Sequence, residues 1–164
     1  MNIFVTDNCP KKCAEFLDDK RVIKMVLESA QILCTAINEM GGESPYKTTH
    51  KNHPISIWAR KNRHNYKWLL DHFQALSKEY TKRYDKIHKC QSYFELFESN
   101  IELMPESKKR SPFINCAANK SLGIDFKHLE VKAAYKEYLK ERWSTDKRTP
   151  TKYKKVLDIA IKID

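Results

Sequence analysis

The chain has 164 residues, the length of one domain, and can enclose a core without metal or disulfide staples. Its 31 Lys and Arg against 21 Asp and Glu leave a formal charge of +10, which favours a polyanionic partner. No apolar run approaches the roughly 18 residues that cross a bilayer, so a spanning segment is excluded, and three glycines leave no room for a Gly-rich phosphate loop or a set of tight hairpins. Five irregularly spaced cysteines and an N-terminus without a basic and then apolar leader point to reduced thiols and a soluble, cytoplasmic protein.

Asn2 to Thr6 reads as a short strand or an ordered arm. Asp7 or Asn8 is placed to cap a helix that enters through Pro10 and runs to Leu17. From Asp19 to Met40, apolar residues recur at helical spacing until Gly41-Gly42 stops the run. Glu43 to His53 has loop chemistry, and Asn52-His53-Pro54 opens a long helix to about Tyr84, with a break expected near Asn62 to Asn65. Tyr93 to Met104 reads as a shorter helix ended by Pro105, Glu106 to Asp125 as an irregular connection, and His128 to Trp143 as another helix. Tyr153 to Ile163 repeats the helical pattern after Thr149-Pro150. The expected fold is all-α: a compact single-domain bundle of about five helices with an N-terminal arm, one nucleic-acid-binding domain over residues 1–164.

Charge is concentrated between Tyr46 and Lys89. Eleven cations stand there against Asp71, Glu79 and Asp85, a net +8 of the chain's +10, with five of the six histidines among them. Lys47, His50, Lys51, His53, Arg60, Arg63, Lys67 and Arg83 are the candidate phosphate contacts in this stretch. Its aromatics offer stacking surfaces for bases, although helical spacing assigns most of them to the core.

A second pattern lies on the apolar helix. Arg21, Lys24, Glu28, Gln31 and Thr35 are three or four residues apart and form one polar line. If that line faces water, Lys24 and Glu28 are an ordinary i,i+4 pair. If it faces a cleft, they hold a carboxylate for electrostatic or proton-transfer work beside a polyanion, with Arg21 as a further contact.

Weaker signals point nowhere specific. His50 and His53 match no zinc spacing, so neither a metal nor another cofactor is expected. Cys9 and Cys13 read as small core residues, and no nucleophile elbow accompanies the serines.

The run Ala14-Glu15-Phe16-Leu17-Asp18-Asp19-Lys20-Arg21-Val22, the later Glu28, Tyr46-Lys47 and Asn52-His53-Pro54 resemble the pyrimidine-dimer DNA glycosylases of phages and viruses. The resemblance extends to Asn65, Glu79 and Arg83 and to Arg148-Thr149-Pro150-Thr151-Lys152-Tyr153, about half the chain. It implies a helical protein that kinks DNA, exposes a damaged or modified nucleotide, cleaves its glycosidic bond without a metal and then nicks the abasic site. The family's nucleophile is the N-terminal amine, whose ordinary pKa of about 8 leaves a substantial unprotonated share at neutral pH. A helix glutamate stabilises the cationic transition state, and Glu28 takes that role here.

The chain departs from the family where Asn2 follows Met1, since the family exposes a threonine after methionine removal and a bulky Asn2 leaves Met1 in place. The Met1 amine and Lys24 are therefore both candidate nucleophiles, and a relative that keeps the DNA grip without lyase chemistry is a third outcome. Beside the leading expectation of a glycosylase/lyase acting on DNA in preference to RNA stand a non-catalytic DNA- or RNA-binding accessory protein and an interaction module for an acidic protein.

Overall fold

The computed structural model describes residues 1–146, and the helix expected over Tyr153 to Ile163 and the segment Arg148 to Tyr153 lie outside them. The architecture is all-α: α1 Pro10–Phe16, α2 Asp19–Glu39, α3 Pro54–Arg60, α4 Arg63–Tyr84, α5 Phe94–Ser99 and α6 Val131–Thr145, with one small antiparallel pair, β1 Ala118–Asn119 and β2 Ile124–Asp125. The described residues share one hydrophobic core, in which α4 packs on both α1 and α2. No helix among them is long and apolar enough to cross a membrane.

Caps decide where each helix begins. Pro10 stands in the first turn of α1, where its missing N–H costs nothing. The N-cap position falls on Cys9 rather than on Asp7 or Asn8, and Asp7 Oδ1 accepts the Cys9 N–H at 2.8 Å instead. Cys13 is buried as expected, but Cys9 is exposed, which corrects its reading as a core residue. Asp18 caps α2: its Oδ1 accepts the Arg21 N–H at 3.0 Å, and its Oδ2 accepts from Arg21 Nη1 at 2.6 Å and Trp143 Nε1 at 2.7 Å. One carboxylate, 1% exposed, thus ties the start of α2 to α6.

At the other end of α2, Gly41 takes a left-handed φ of 85°, and a Cβ on Gly42 would stand 2.6 Å from Leu103 Cδ1. The break expected near Asn62 to Asn65 falls at Lys61 and Asn62 and divides the helix from Pro54 to Tyr84 into α3 and α4. Asn62 is extended (φ −162°, ψ 166°), and its side chain caps α4 by accepting the Asn65 N–H at 2.9 Å.

The helix expected over Tyr93 to Met104 is likewise divided into a 3-10 turn at Lys89–Tyr93, α5, and a second 3-10 turn at Ile101–Leu103. The Ser99 hydroxyl and the Asn100 amide both donate to the Leu96 carbonyl, and such local side-chain bonds compete with the helical ladder. α6 starts at Val131 rather than His128 because Glu130 Oε2 accepts the Lys132 and Ala133 N–H groups at 2.9 and 3.3 Å.

His72 is fully buried on α4, its ring stacked 5.2 Å from Trp68 and its Nδ1–H donated to the Pro10 carbonyl at 3.0 Å. Burial pushes its pKa from 6.5 down to about 4. The folded value lies below the unfolded one, so the stabilisation is complete above pH 6.5 and is lost as pH falls toward 4, to the extent of about 3 kcal/mol. The stability advantage of wild type over His72→Gln, measured by urea unfolding, is expected to shrink by about that amount between pH 7 and pH 4. A constant difference would place the titration elsewhere.

Candidate functional site

The polar line on α2 is divided by what covers it. Thr35 is buried and exchanges hydrogen bonds with the Thr49 backbone at 3.0 and 3.1 Å, pinning the loop between α2 and α3. Arg21, Lys24 and Glu28 face a pocket of about 390 Å³, closed by the N-terminal arm, by His53, by the segment from Cys116 to Asn119, and by α6 through Tyr138 and Arg142.

The arm is shaped to deliver its end to Glu28. Ile3 and Val5 are buried and anchor it in the core. The Asn2 side-chain oxygen accepts the N–H groups of Ile3 and Phe4 at 2.9 and 3.3 Å, while its amide donates to the Cys116 carbonyl at 3.4 Å. Phe4 is held at a left-handed φ of 45°, a conformation that costs a non-glycine residue on the order of 1 to 3 kcal/mol. Its ring packs 6.0 Å from Tyr135 and 5.9 Å from Tyr138, which holds the turn in place.

The Asn2 backbone N–H consequently donates to Glu28 Oε2 at 3.1 Å, and Met1 lines the pocket beside it. The other carboxylate oxygen, Oε1, pairs with Lys24 Nζ at 3.1 Å. Glu28 is sheltered, its side chain 14% exposed, whereas that of Lys24 is 71% exposed.

His53 stands where the loop enters α3 and caps that helix, its Nδ1 accepting the Ile55 N–H at 3.2 Å. Burial, then the N-terminal amine and His50, hold the imidazole below its ordinary pKa, with Glu28 pulling the other way. Burial raises the Cys116 thiol, and the amine and Lys127 offset part of that rise. No group of three or more His, Cys, Asp or Glu among the described residues is arranged to hold a metal ion.

Met1, Arg21, Lys24, Glu28 and His53 therefore meet in one pocket. Arg21 is itself buried, its guanidinium paired with the buried Asp18 at 2.6 Å. Lys47, His50 and Lys51 are exposed on the loop that leads into His53. Lys51 lies 3.9 Å from Glu39, and Arg60 donates to the Lys51 carbonyl at 2.8 Å.

Three further residues expected on the phosphate grip have carboxylate partners. Lys67 pairs with Asp71 one turn along α4. Arg63 is bound by Glu102 and Glu106 at 2.8 and 2.9 Å and by the Met104 carbonyl at 3.1 Å, fastening α4 to the segment after α5. Arg83 is half-buried, its guanidinium enclosed by Glu79, Asp19 and the carbonyls of Glu15 and Leu17. Asp71 and Glu79 entered the local charge count, but Asp19, Glu39, Glu102 and Glu106 did not, because they lie outside the stretch in sequence and beside it in space. Trp58, Tyr66, Trp68 and Phe73 are core residues, as their helical spacing indicates.

Sequence reasoning did not find Asn2, Cys116, Asn119, Tyr138 or Arg142, which complete the pocket. The last four sit in a segment without period and on a helix far along the chain, and no local pattern relates them to Glu28.

A family model described as pyrimidine dimer DNA glycosylase matches residues 1–92, a span that contains the arm, α1 to α4, Lys24, Glu28 and His53 but not the wall from Cys116 to Arg142. No curated protein and no solved structure matches the chain.

Proposed function

The chain belongs to the pyrimidine dimer DNA glycosylase family, and on that premise we propose that it is a DNA glycosylase and abasic-site lyase that works through an imine without a metal. The observation that carries this reading is the contact of 3.1 Å between the Asn2 nitrogen and Glu28 inside an open pocket, since it sets the α-amine one residue away beside a sheltered carboxylate.

In the proposed reaction the Met1 amine attacks C1′ of an extruded nucleotide. The C1′–N bond breaks, and its electron pair leaves with the base, which takes up a proton. Loss of the amine proton and opening of the sugar ring give the imine. The Glu28 carboxylate first opposes the positive charge at C1′ and then takes a proton from C2′, so that elimination expels the 3′ phosphate and breaks the strand. Water releases the enzyme.

Lys24 is the less suitable nucleophile, because it is largely exposed and its ammonium is paired with the same carboxylate. Lys47, His50, Lys51, Arg60 and Lys67 are proposed to hold the backbone of DNA rather than RNA, with Arg142 beside the pocket, while Arg21, paired with Asp18, holds the start of α2. Borohydride added during reaction with DNA carrying a cyclobutane pyrimidine dimer or an abasic site is expected to give a covalent adduct that maps to the N-terminal peptide. An adduct on the Lys24 peptide would move the nucleophile, and no adduct on either substrate would overturn the imine.

A further inference from the structure

We propose that His53 is a further catalytic residue of this reaction: fixed in one tautomer by its own helix, it donates a hydrogen bond from Nε2 to the base that leaves. The inference rests on the glycosylase reading above.

Three observations carry it. Nδ1 of His53 accepts the Ile55 N–H at 3.2 Å, so its lone pair is engaged and the ring proton belongs to Nε2. Nε2 itself makes no hydrogen bond to any described residue, and His53 lines the pocket with Met1 and Glu28. The cap, finally, does not need an imidazole: Ser, Thr, Asp or Asn caps a helix better and ends a shorter distance from the backbone. What histidine adds at this position is a second nitrogen beyond the one that caps, on a residue that lines the pocket.

That nitrogen suits the step in which the base departs. As the C1′–N bond breaks, negative charge gathers on the ring nitrogen and carbonyl oxygens of a pyrimidine, and a prepositioned donor aimed at such an oxygen lowers the barrier. No proton changes hands: the N–H of a neutral imidazole polarises the carbonyl, and the base acquires its proton afterwards from solvent. Burial and the nearby amine, which disfavour imidazolium here, keep Nδ1 available for the cap. The groups facing the ring are then divided by task, with Glu28 opposing charge on the sugar and His53 opposing it on the base.

The experiment separates the two steps of the reaction in full-length His53→Asn. Asparagine keeps the cap but ends near the position of Nδ1, so the variant is expected to melt with wild type. Glycosidic-bond cleavage in dimer-containing DNA, after which the freed pyrimidine stays tethered to its dimer partner, is followed in single turnovers by borohydride trapping and is expected to fall about 100-fold, while strand cleavage at a preformed abasic site, which has no glycosidic bond to break, stays near the wild-type rate. Equal losses in both steps, or unchanged glycosidic-bond cleavage, would overturn the role of His53. Failure of wild type itself to cleave either substrate would overturn the glycosylase reading instead. His53→Ala, which loses cap and donor together, is expected to add a lowered melting temperature to the same selective loss.

Discussion

Replacing Glu28 by glutamine is expected to slow strand cleavage on dimer-containing and abasic DNA by about 100- to 1,000-fold, the usual loss when one electrostatic group is removed from a reacting centre. The substitution is close to isosteric. The amide oxygen still accepts the Asn2 N–H, so the arm keeps its place, and the lost pairing is an i,i+4 interaction with the largely exposed Lys24, worth a few tenths of a kcal/mol. Neither folding nor the position of the amine accounts for a loss of that size. What disappears is the negative charge that opposes the sugar cation and the base that takes the C2′ proton.

Affinity for DNA is expected to be retained or to rise, because a carboxylate is removed from the path of a polyanion. Single-turnover cleavage and fluorescence anisotropy on the same oligonucleotide measure the two quantities. Cleavage at the wild-type rate by Glu28→Gln would remove Glu28 from the mechanism. Loss of binding in step with loss of cleavage would make it a positioning residue for the arm.

Arg83→Ala is expected to lower stability by about 3 to 5 kcal/mol, the cost of leaving buried carboxylates without their cation, and to lower Tm by roughly 10 °C in a chain of this size. The guanidinium performs three tasks at once. It pairs with Glu79 at 2.7 Å on its own helix and with Asp19 at 3.3 Å in the first turn of α2. It also donates to the Leu17 and Glu15 carbonyls at 2.6 and 3.2 Å, satisfying acceptors that the short helix α1 leaves open at its C-terminus.

Arg83→Lys keeps the charge but not the planar fork, and an intermediate loss is expected. Thermal unfolding followed by circular dichroism reads the effect. The salt dependence of DNA binding by the folded variant is expected to match wild type, in contrast to the phosphate contact that the charge count suggests. An unchanged Tm together with a weaker salt dependence would return Arg83 to the DNA interface.

The two patterns picked out in the sequence fared differently for one physical reason. Glu28 and Lys24 are one turn apart on a helix, so their proximity is a property of the 3.6-residue repeat and is legible without a fold. The same holds for α2 as a whole, for the entry of α1 and α3 through proline, and for the stop at Gly41, each set by residues within a turn of the feature they determine. The charge of the stretch from Tyr46 to Lys89 is also a sequence property, but what each cation does with its charge is not. Arg63 and Arg83 each find carboxylates outside the stretch, while Lys47 remains exposed.

The sequence by itself therefore determined where α1 to α4 run, the polar line on α2 and the basic character of the loop and helices that follow. Only the tertiary structure decided that the part of that line from Arg21 to Glu28 faces a pocket, that its end at Thr35 pins a loop, and that the arm and α6 complete the walls. Helical periodicity and capping act over a few residues of one chain segment. Which face stays uncovered, and which acid meets which base, depends on the packing of segments as distant as Asn2, Glu28 and Arg142, and no local repeat encodes that.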